Sequence, residues 1–228
     1  MCGRYSITTN VEALRRLYGF RGAPNLQPRF NLAPTQPAPA IRLNAAGERE
    51  LSMLRWGLIP AWAPDRSIGN RMINARAETL AEKPSFRAAL QDRRCLVLAD
   101  GFYEWQKQGP KKQPYFITLA DGAPFAMAGL WDRWTDRGTR ETIESFTIIT
   151  TAASPDLTGI HDRMPALFDS RGQEAWLAAA DLAVAQALLK PFPGPVSALP
   201  VSTFVNDPKN DSPACLAPDR LMPSRFKT

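Results

Sequence analysis

The sequence predicts an α+β fold: a single domain built on a curved, antiparallel, barrel-like β-sheet with short helices at its periphery. The chain has 228 residues, which is enough for one domain with a substantial hydrophobic core. Its 21 prolines divide it into short elements. Runs rich in aromatic and β-branched residues alternate with turn signals, a pattern typical of successive hairpins. We therefore expect one domain over residues 1–228.

Six segments have the composition of β-strands. Turn signals such as Gly109-Pro110 and Asp121-Gly122 separate several of them. The runs are APAIRL (38–43), ELSMLRWGL (50–58), RCLVLADGFYEWQK (94–107), PYFITLA (114–120), PFAMAGLWDRW (124–134) and TIESFTIITTAA (142–153). The proline-rich segment from about residue 191 onward predicts an irregular stretch that wraps around the body of the domain.

Four short helices are predicted around these strands, three of them with a residue suited to capping the first turn. They are VEALRRLY between Asn10 and Gly19, FRAALQD after Ser85, PDLTG after Ser154, and a helix from Gln173 to about Leu189. The last has the Ala/Leu-rich apolar face of a packed helix.

The charge of the chain points to a polyanionic partner. The net charge is +6, the isoelectric point is near 9.5, and 21 of the 28 positive residues are arginine. Arginine's planar fork matches phosphate oxygens better than lysine does, so nucleic acid is the first partner to test. On charge alone, a basic protein without a nucleic-acid partner fits equally well.

Cysteine and histidine usage argues against disulfides and metals. The three cysteines, Cys2, Cys95 and Cys215, are odd in number and widely spaced, which forms neither a disulfide framework nor a CxxC pair. A single histidine makes a zinc site improbable. We predict no metal and no cofactor.

The chain predicts a cytoplasmic protein. No apolar run approaches the roughly 18 residues of a membrane span. The first twenty residues carry Glu12, Arg15 and Arg16 where a signal peptide would need an apolar core. We therefore expect no membrane partner.

Cys2 is the most distinctive candidate for chemistry. Removal of Met1 would leave an N-terminal cysteine with an α-amine and a thiol, both partly active as nucleophiles near neutral pH. The amine can condense with an aldehyde to an imine, and the thiol can then close a thiazolidine ring. The alternative is that Cys2 is simply a small residue beginning the first strand. Gly3 would allow a partner close to the backbone, and Arg4 would place a phosphate-binding group beside the nucleophile.

Three further motifs contain polar residues suited to a site. In NARAET, Asn74 and Arg76 lie on the same side of an extended chain and could hold a sugar-phosphate. In DGFYEW, Glu104 sits between aromatic residues, where desolvation would raise its pKa toward the range useful for acid-base chemistry. In HDRMP, His161 is the only imidazole and Arg163 could bind an anion. Each of these residues also has an ordinary structural interpretation, as a turn, an ion pair or a packed side chain.

Trp56 and Trp62 could offer stacking surfaces to nucleic acid, although core packing is the simpler interpretation of each. The segment FNLAPTQ, residues 30–36, is expected to form a loop in which Asn31 supports a site rather than reacts.

Taken together, the motifs are more specific than any one of them. In order and over nearly the whole chain, they resemble the SOS-response-associated peptidase (SRAP) family, whose members are abasic-site processing proteins. The motifs are MCGRY, FNLAPTQ, RWGLIPAW, NARAET, RRCLVLADGFYEW, HDRMP and VSTFVNDPKNDSP. No position that matches the family's active-site residues departs from its pattern.

The resemblance implies an SRAP-type fold and a protein, expected to be monomeric, that binds single-stranded DNA and cross-links itself to abasic sites. It would act in the DNA damage response, associated with the nucleoid. Cys2 would be the nucleophile after Met1 is removed, a step the family is thought to perform on itself. Asn74 would position the amine or the sugar, Glu104 would shuttle protons, and His161 would assist opening of the sugar ring.

The same resemblance assigns the DNA contacts. Arg4, Arg76 and Arg163 would hold the flanking phosphates. Trp56 or Trp62 would shape the groove for an unpaired strand, and Thr150 is a weaker candidate for a phosphate contact.

Other functions remain open at this stage. An N-terminal-nucleophile amidohydrolase also begins Met-Cys-Gly, although its oxyanion hole commonly uses an Asn-Gly pair, which this sequence lacks. A cysteine peptidase acting on other proteins would have only His161 as its imidazole base. A noncatalytic single-stranded-DNA-binding module would also explain the arginine excess. Cleavage of abasic sites by β-elimination is a conceivable side reaction of the imine.

Overall fold

Thirteen β-strands and four α-helices form the described part of the chain, residues 2–22 and 24–219 of a computed structural model. The strands are β1 (Arg4–Ile7), β2 (Arg29–Leu32), β3 (Pro37–Leu43), β4 (Arg49–Trp56), β5 (Asn74–Arg76), β6 (Arg94–Ala99), β7 (Gly101–Gln108), β8 (Lys111–Leu119), β9 (Phe125–Thr135), β10 (Thr142–Ala152), β11 (Arg163–Pro165), β12 (Leu167–Phe168) and β13 (Val196–Pro200). The helices are α1 (Val11–Tyr18), α2 (Pro84–Asp92), α3 (Ser170–Ala178) and α4 (Leu182–Ala187).

Five of the strands close into a barrel in the order β10-β4-β3-β6-β9, with β9 pairing back onto β10. Closure pairs the two edges that an open sheet would leave exposed. The predicted α+β, single-domain fold with a barrel-like sheet is confirmed. The sheet is not purely antiparallel, because β4 and β5 both run parallel to β10. Strands β11 and β12 extend the barrel sheet.

A second sheet packs on the barrel in the order β13-β8-β7-β1-β2. The predicted run 94–107 is divided between the two sheets, since β6 belongs to the barrel and β7 to the second sheet. Asp100, at the division, accepts hydrogen bonds from the backbone N–H and hydroxyl groups of Thr8 and Thr9. Gly101 begins β7 where a Cβ atom would lie 2.2 Å from the Phe116 ring. This close approach requires glycine where the chain passes from the barrel to the second sheet.

The helix predictions are confirmed in part. Helix α1 begins after Asn10, whose side chain accepts from Ala13 N–H, and ends at Gly19 with φ of 65°. Helix α2 begins at Pro84, so Ser85 lies inside its first turn and does not cap it. The segment PDLTG forms only a short 3-10 helix, Pro155–Leu157.

Two predictions for the C-terminal third are corrected. The helix expected from Gln173 to about Leu189 is two helices, α3 and α4, because Asp181 caps a new helix by accepting from Ala183 N–H. The segment after residue 191 is not wholly irregular: β13 pairs with β8 along its length. None of the helices in residues 2–22 and 24–219 is long and apolar enough to cross a membrane.

Arg94, the first residue of β6, ties two helices to the barrel. Its buried guanidinium donates to the carbonyls of Leu90 and Gln91 in α2, to that of Trp176 in α3, and to that of Ala179 just after α3. The last carbonyls of a helix have no partner within it and carry partial negative charge, so one cation stabilises both ends.

Replacing Arg94 with Met should lower the free energy of unfolding by about 2–4 kcal/mol, since four carbonyls lose their donor while the apolar stem is kept. Urea unfolding followed by circular dichroism measures the change. Arg87→Met on the exposed side of α2 is the matched control, and a surface arginine should change stability by less than about 0.5 kcal/mol. Equal stability of the two variants would contradict the assigned role.

Candidate active site

Cys2 lies two residues before the start of β1, which pairs with β2 on one side and β7 on the other. The register that places Arg4 opposite Tyr103 brings Cys2 close to Glu104 on β7. The side chain of Cys2 is fully buried, and its thiol approaches the Arg4 carbonyl at 3.7 Å. Burial raises the pKa of the Cys2 thiol, and the nearby Glu104 carboxylate raises it further. The thiol is therefore protonated at neutral pH in this arrangement.

Asn74 holds the backbone of Cys2. Strand β5 places Asn74 opposite Ile148 of β10, and its Nδ2 donates to the Cys2 carbonyl at 2.7 Å. Its buried Oδ1 accepts no hydrogen bond from the residues that the structure describes. The amide nitrogen of Asn74 thus fixes the backbone of Cys2, and its amide oxygen offers a hydrogen-bond acceptor beside that residue.

Glu104 and His161 meet at the bottom of a cleft of about 450 Å³. Their closest atoms, Glu104 Oε2 and His161 Nε2, are 4.0 Å apart. The cleft is lined by Glu104, Trp105, Lys112, His161 and Asn206. Glu104 is only 2% exposed, and its burial raises its pKa, although a charged His161 would act in the opposite direction. A carboxyl group in this environment is suited to proton transfer.

The other ring nitrogen of His161 has two polar neighbours. Nδ1 lies 2.9 Å from the backbone nitrogen of Arg163 and 2.9 Å from Oδ1 of Asp162. In the neutral ring, Nδ1 accepts from the Arg163 N–H, so the ring proton sits on Nε2 and faces Glu104. In the protonated ring, Nδ1 can donate to Asp162 instead. Both states of the imidazole thus have a partner.

The predicted phosphate-binding arginines differ in their surroundings. Arg76 is exposed at the end of β5, two residues after Asn74. Arg4 is near the site, but its guanidinium donates to Asn31 Oδ1 at 2.9 Å and to the Val205 and Asn206 carbonyls at 3.0 and 3.2 Å. In this arrangement Arg4 anchors the C-terminal segment beside Cys2.

Arg163 also has protein partners. It forms a bidentate ion pair with Glu78 at 2.7 and 3.0 Å and donates to the Thr150 carbonyl. A phosphate at Arg163 would therefore have to compete with Glu78.

The structure corrects two predictions about DNA contacts. Trp56 is fully buried, stacks parallel to Phe146 at 6.4 Å between ring centroids, and donates to the Ile73 carbonyl. It packs the core and cannot shape a groove. Thr150 has no exposed surface, because β10 is flanked there by β5 and β11 and its hydroxyl accepts from Arg163 Nη2 at 3.2 Å, so its side chain does not reach a phosphate in this structure. Trp62, by contrast, is 53% exposed and accessible to a ligand.

The predicted supporting role of Asn31 agrees with its contacts. It is fully buried, and its Nδ2 donates to the carbonyls of Val205, Asp207 and Asn210. Its segment is held in turn by Asp211, which pairs with Arg29.

Sequence reasoning missed three residues of the cleft, Trp105, Lys112 and Asn206. Lys112 could have been found from the Gly109-Pro110 turn, because a hairpin centred there pairs Lys112 with Lys107 and brings it back toward Glu104. Asn206 is brought to the cleft by a contact more than 100 residues away in sequence, a hydrogen bond from Trp105 Nε1 at 2.8 Å. No local pattern signals such a contact.

Fold and site together define a class: an α+β barrel protein with a cysteine at the second position, whose backbone is fixed by an amide and which lies beside a carboxylate and an imidazole. Residues 1–208 match the family described as SOS response associated peptidase (SRAP). The chain belongs to this family.

Several of its relatives share the name abasic site processing protein. The Bacillus subtilis abasic site processing protein YoqW is 41% identical over 93% of this chain and 97% of its own length. The abasic site processing protein HMCES of Xenopus tropicalis is 35% identical over 95% of this chain and 78% of its own. A crystal structure of a Bacteroides thetaiotaomicron protein superimposes with a TM-score of 0.86 at 30% identity, over 96% of this chain and all of the other.

Replacing Glu104 with Gln should stabilise the fold above the folded-state pKa of Glu104. Because that pKa is raised in the folded state, the wild type loses stability as pH rises from the unfolded-state pKa to the folded-state pKa of Glu104, whereas the amide stays neutral. The difference in melting temperature should vanish near pH 4, where the carboxyl is protonated in both states. The exposed Glu82→Gln is the control and should show no such pH dependence. A pH-independent difference for Glu104→Gln would contradict a desolvated carboxyl.

Proposed function

We propose that this protein binds single-stranded DNA and forms a covalent cross-link with abasic sites through Cys2. Its relatives are named abasic site processing proteins, which supports a role in handling abasic DNA. The observation that carries the proposal is the 2.7 Å hydrogen bond from Asn74 to the Cys2 carbonyl, at a residue beside Glu104 and His161. These are the groups that capture of an aldehyde by an N-terminal cysteine needs.

The chemistry begins with removal of Met1, which converts the peptide nitrogen of Cys2 into an α-amine. We assign this step to the protein itself. The amine adds to the C1′ aldehyde of the ring-opened sugar, and loss of one water gives the imine. The thiol sulfur then adds to the imine carbon, and its proton passes to nitrogen to give a thiazolidine. Ring closure consumes the imine from which β-elimination would cleave the DNA, so strand cleavage is a minor side reaction.

Proton transfers in this sequence fall to Glu104 and His161. With its raised pKa, Glu104 can protonate the departing water and later accept a proton from the thiol. His161, with Nε2–H directed at the same region, can protonate the sugar oxygen during ring opening. The unused acceptor Oδ1 of Asn74 can receive an N–H bond from the Cys2 amine.

DNA binding is assigned first to the exposed residues Arg76 and Trp62. Arg76 would contact a phosphate next to the abasic nucleotide, and Trp62 would stack on an unpaired base. Arg4 would act mainly by fixing the segment around Val205. Arg163 would bind a phosphate by exchanging it for Glu78.

The test distinguishes the contribution of the Cys2 amine to the adduct from that of the Cys2 thiol. The wild-type protein should give a heat-stable adduct with abasic single-stranded DNA on a denaturing gel. Cys2→Ser, prepared so that residue 2 is the N-terminus, keeps the N-terminal amine and loses the thiol, so it should give an adduct only when borohydride reduces the imine. Cys95→Ala removes another buried thiol and should leave the adduct unchanged.

Two results would overturn the proposal. One is a heat-stable adduct with Cys2→Ser in the absence of borohydride, since that adduct would not need sulfur. The other is release of ammonia from glutamine without any adduct, which would identify an amidohydrolase.

Intact mass spectrometry should show active protein that is lighter than the 228-residue chain by one methionine residue. The reason is that an acylated nitrogen cannot form the imine. The adduct should carry the mass of the shortened protein plus DNA minus one water. Active protein that retains Met1 would contradict the mechanism.

A further inference from the structure

One face of the β7–β8 hairpin carries two lysines directly opposite each other. Lys107 on β7 pairs with Lys112 on β8, and both are exposed. Residues opposite each other in an antiparallel pair place their side chains on the same face, about 5 Å apart at Cβ. Lys112 also lines the cleft that contains Glu104 and His161. The lysine pair is therefore continuous with the candidate active site.

This arrangement is unfavourable for the isolated protein. Like charges opposite each other destabilise a sheet. Within residues 2–22 and 24–219, no ion pair involves Lys107 or Lys112. Only seven of the 28 positive residues are lysine, yet three of the seven lie at this hairpin, with Lys111 on the opposite face. A bound anion would supply the missing counter-charge.

Aromatic side chains accompany the lysines. Trp105 lies on the same face of β7 as Lys107, because side chains alternate along a strand. Its indole donates to Asn206, in the short 3-10 helix Thr203–Asn206. That helix displays Phe204 with 41% of its surface exposed.

The backbone of Phe204 is held on both sides. Its N–H donates to Ser202 Oγ at 3.2 Å, and its carbonyl accepts from Asn210 Nδ2 at 2.7 Å. The exposed ring is thus presented from a fixed backbone, which lowers the entropy lost when a ligand stacks on it.

We propose that this strip, made of Trp105, Lys107, Lys112 and Phe204, binds the single-stranded DNA segment on one side of the abasic nucleotide. The two lysines contact successive phosphates, and Phe204 stacks on an unpaired base. Cations along a backbone path beside exposed rings are the pattern by which proteins bind single strands without reading sequence. The inference takes its ligand, single-stranded DNA, from the proposed function. It adds the path of that DNA, which leaves the cleft over the β7–β8 hairpin.

The lysines are tested by the salt dependence of binding. The probe is single-stranded DNA carrying a tetrahydrofuran abasic analogue, which has no aldehyde and so reports binding without cross-linking. Lys107→Gln with Lys112→Gln should weaken binding about tenfold at roughly 0.1 M salt and reduce the slope of log K against log salt by about 1.4. The control is Lys111→Gln with Lys83→Gln, which removes equal charge, one of the two from the opposite face of the same hairpin. It should change neither quantity.

The role of Phe204 is tested by a loss of binding that, unlike that of the lysine variants, leaves the salt dependence unchanged. Phe204→Ala should weaken binding roughly fivefold or more, as expected for loss of one stacked base, while leaving the salt slope unchanged. Val184→Ala, an exposed apolar residue on α4, is the matched control and should have no effect.

The side of the abasic nucleotide on which the DNA crosses the hairpin is tested with two oligonucleotides. They carry the abasic analogue at opposite ends. The lysine and Phe204 variants should weaken binding of only one of the two DNAs, because only one has nucleotides over the hairpin. An equal effect on both DNAs, or no effect on either, would overturn the inference. Its failure is distinct from that of the proposed function. Cross-linking of aldehyde-bearing DNA by the wild type can succeed while these binding results fail, and the reverse also holds.

Discussion

The position of Cys2 depends on strand β1, which lies inside the second sheet with β2 on one side and β7 on the other. Two hydrogen-bonded ladders therefore hold the chain from Arg4 and Tyr5 onward, two to three residues after Cys2, although chain ends are usually mobile. The far end of β1 is held as well, because Asp100 accepts four hydrogen bonds from Thr8 and Thr9. A reaction in which the amine and then the thiol of one residue must meet the same carbon benefits from such a rigid placement.

The burial that positions Cys2 also lowers the stability of the fold, because it removes ionisable groups from water. The thiol and Glu104 are both removed from water, which raises both pKa values and keeps the thiol protonated. A free thiolate would be open to oxidation, whereas a buried thiol is protected. Removing the Glu104 charge should therefore stabilise the fold and impair proton transfer, the trade-off expected of a desolvated active-site acid.

Local sequence signals predicted most of the strands, helix α1 and the barrel-like core, because alternation and capping act over a few residues. They placed the NARAET, DGFYEW and HDRMP motifs without showing that Asn74 would bond to the Cys2 backbone. They failed where long-range packing decides the outcome. Core packing is the simpler interpretation of Trp56 from the sequence, but its burial depends on Tyr5 of the second sheet and Phe146 of β10, which are distant in sequence. Arg163 could have been a free anion-binding group, but Glu78 is brought to it by the pairing of β5 with β10.

The C-terminal third shows why the candidate site cannot be reduced to its reactive residues. The segment around Val205 reaches the site through Arg4 and Asn31, which donate to backbone carbonyls and so act whatever side chains that segment carries. Side chains displayed from it, such as Phe204, can change without disturbing the anchor. Under the proposed function, the anchored backbone holds the surroundings of Cys2, and the displayed ring and the lysines of the adjoining hairpin set the affinity for DNA.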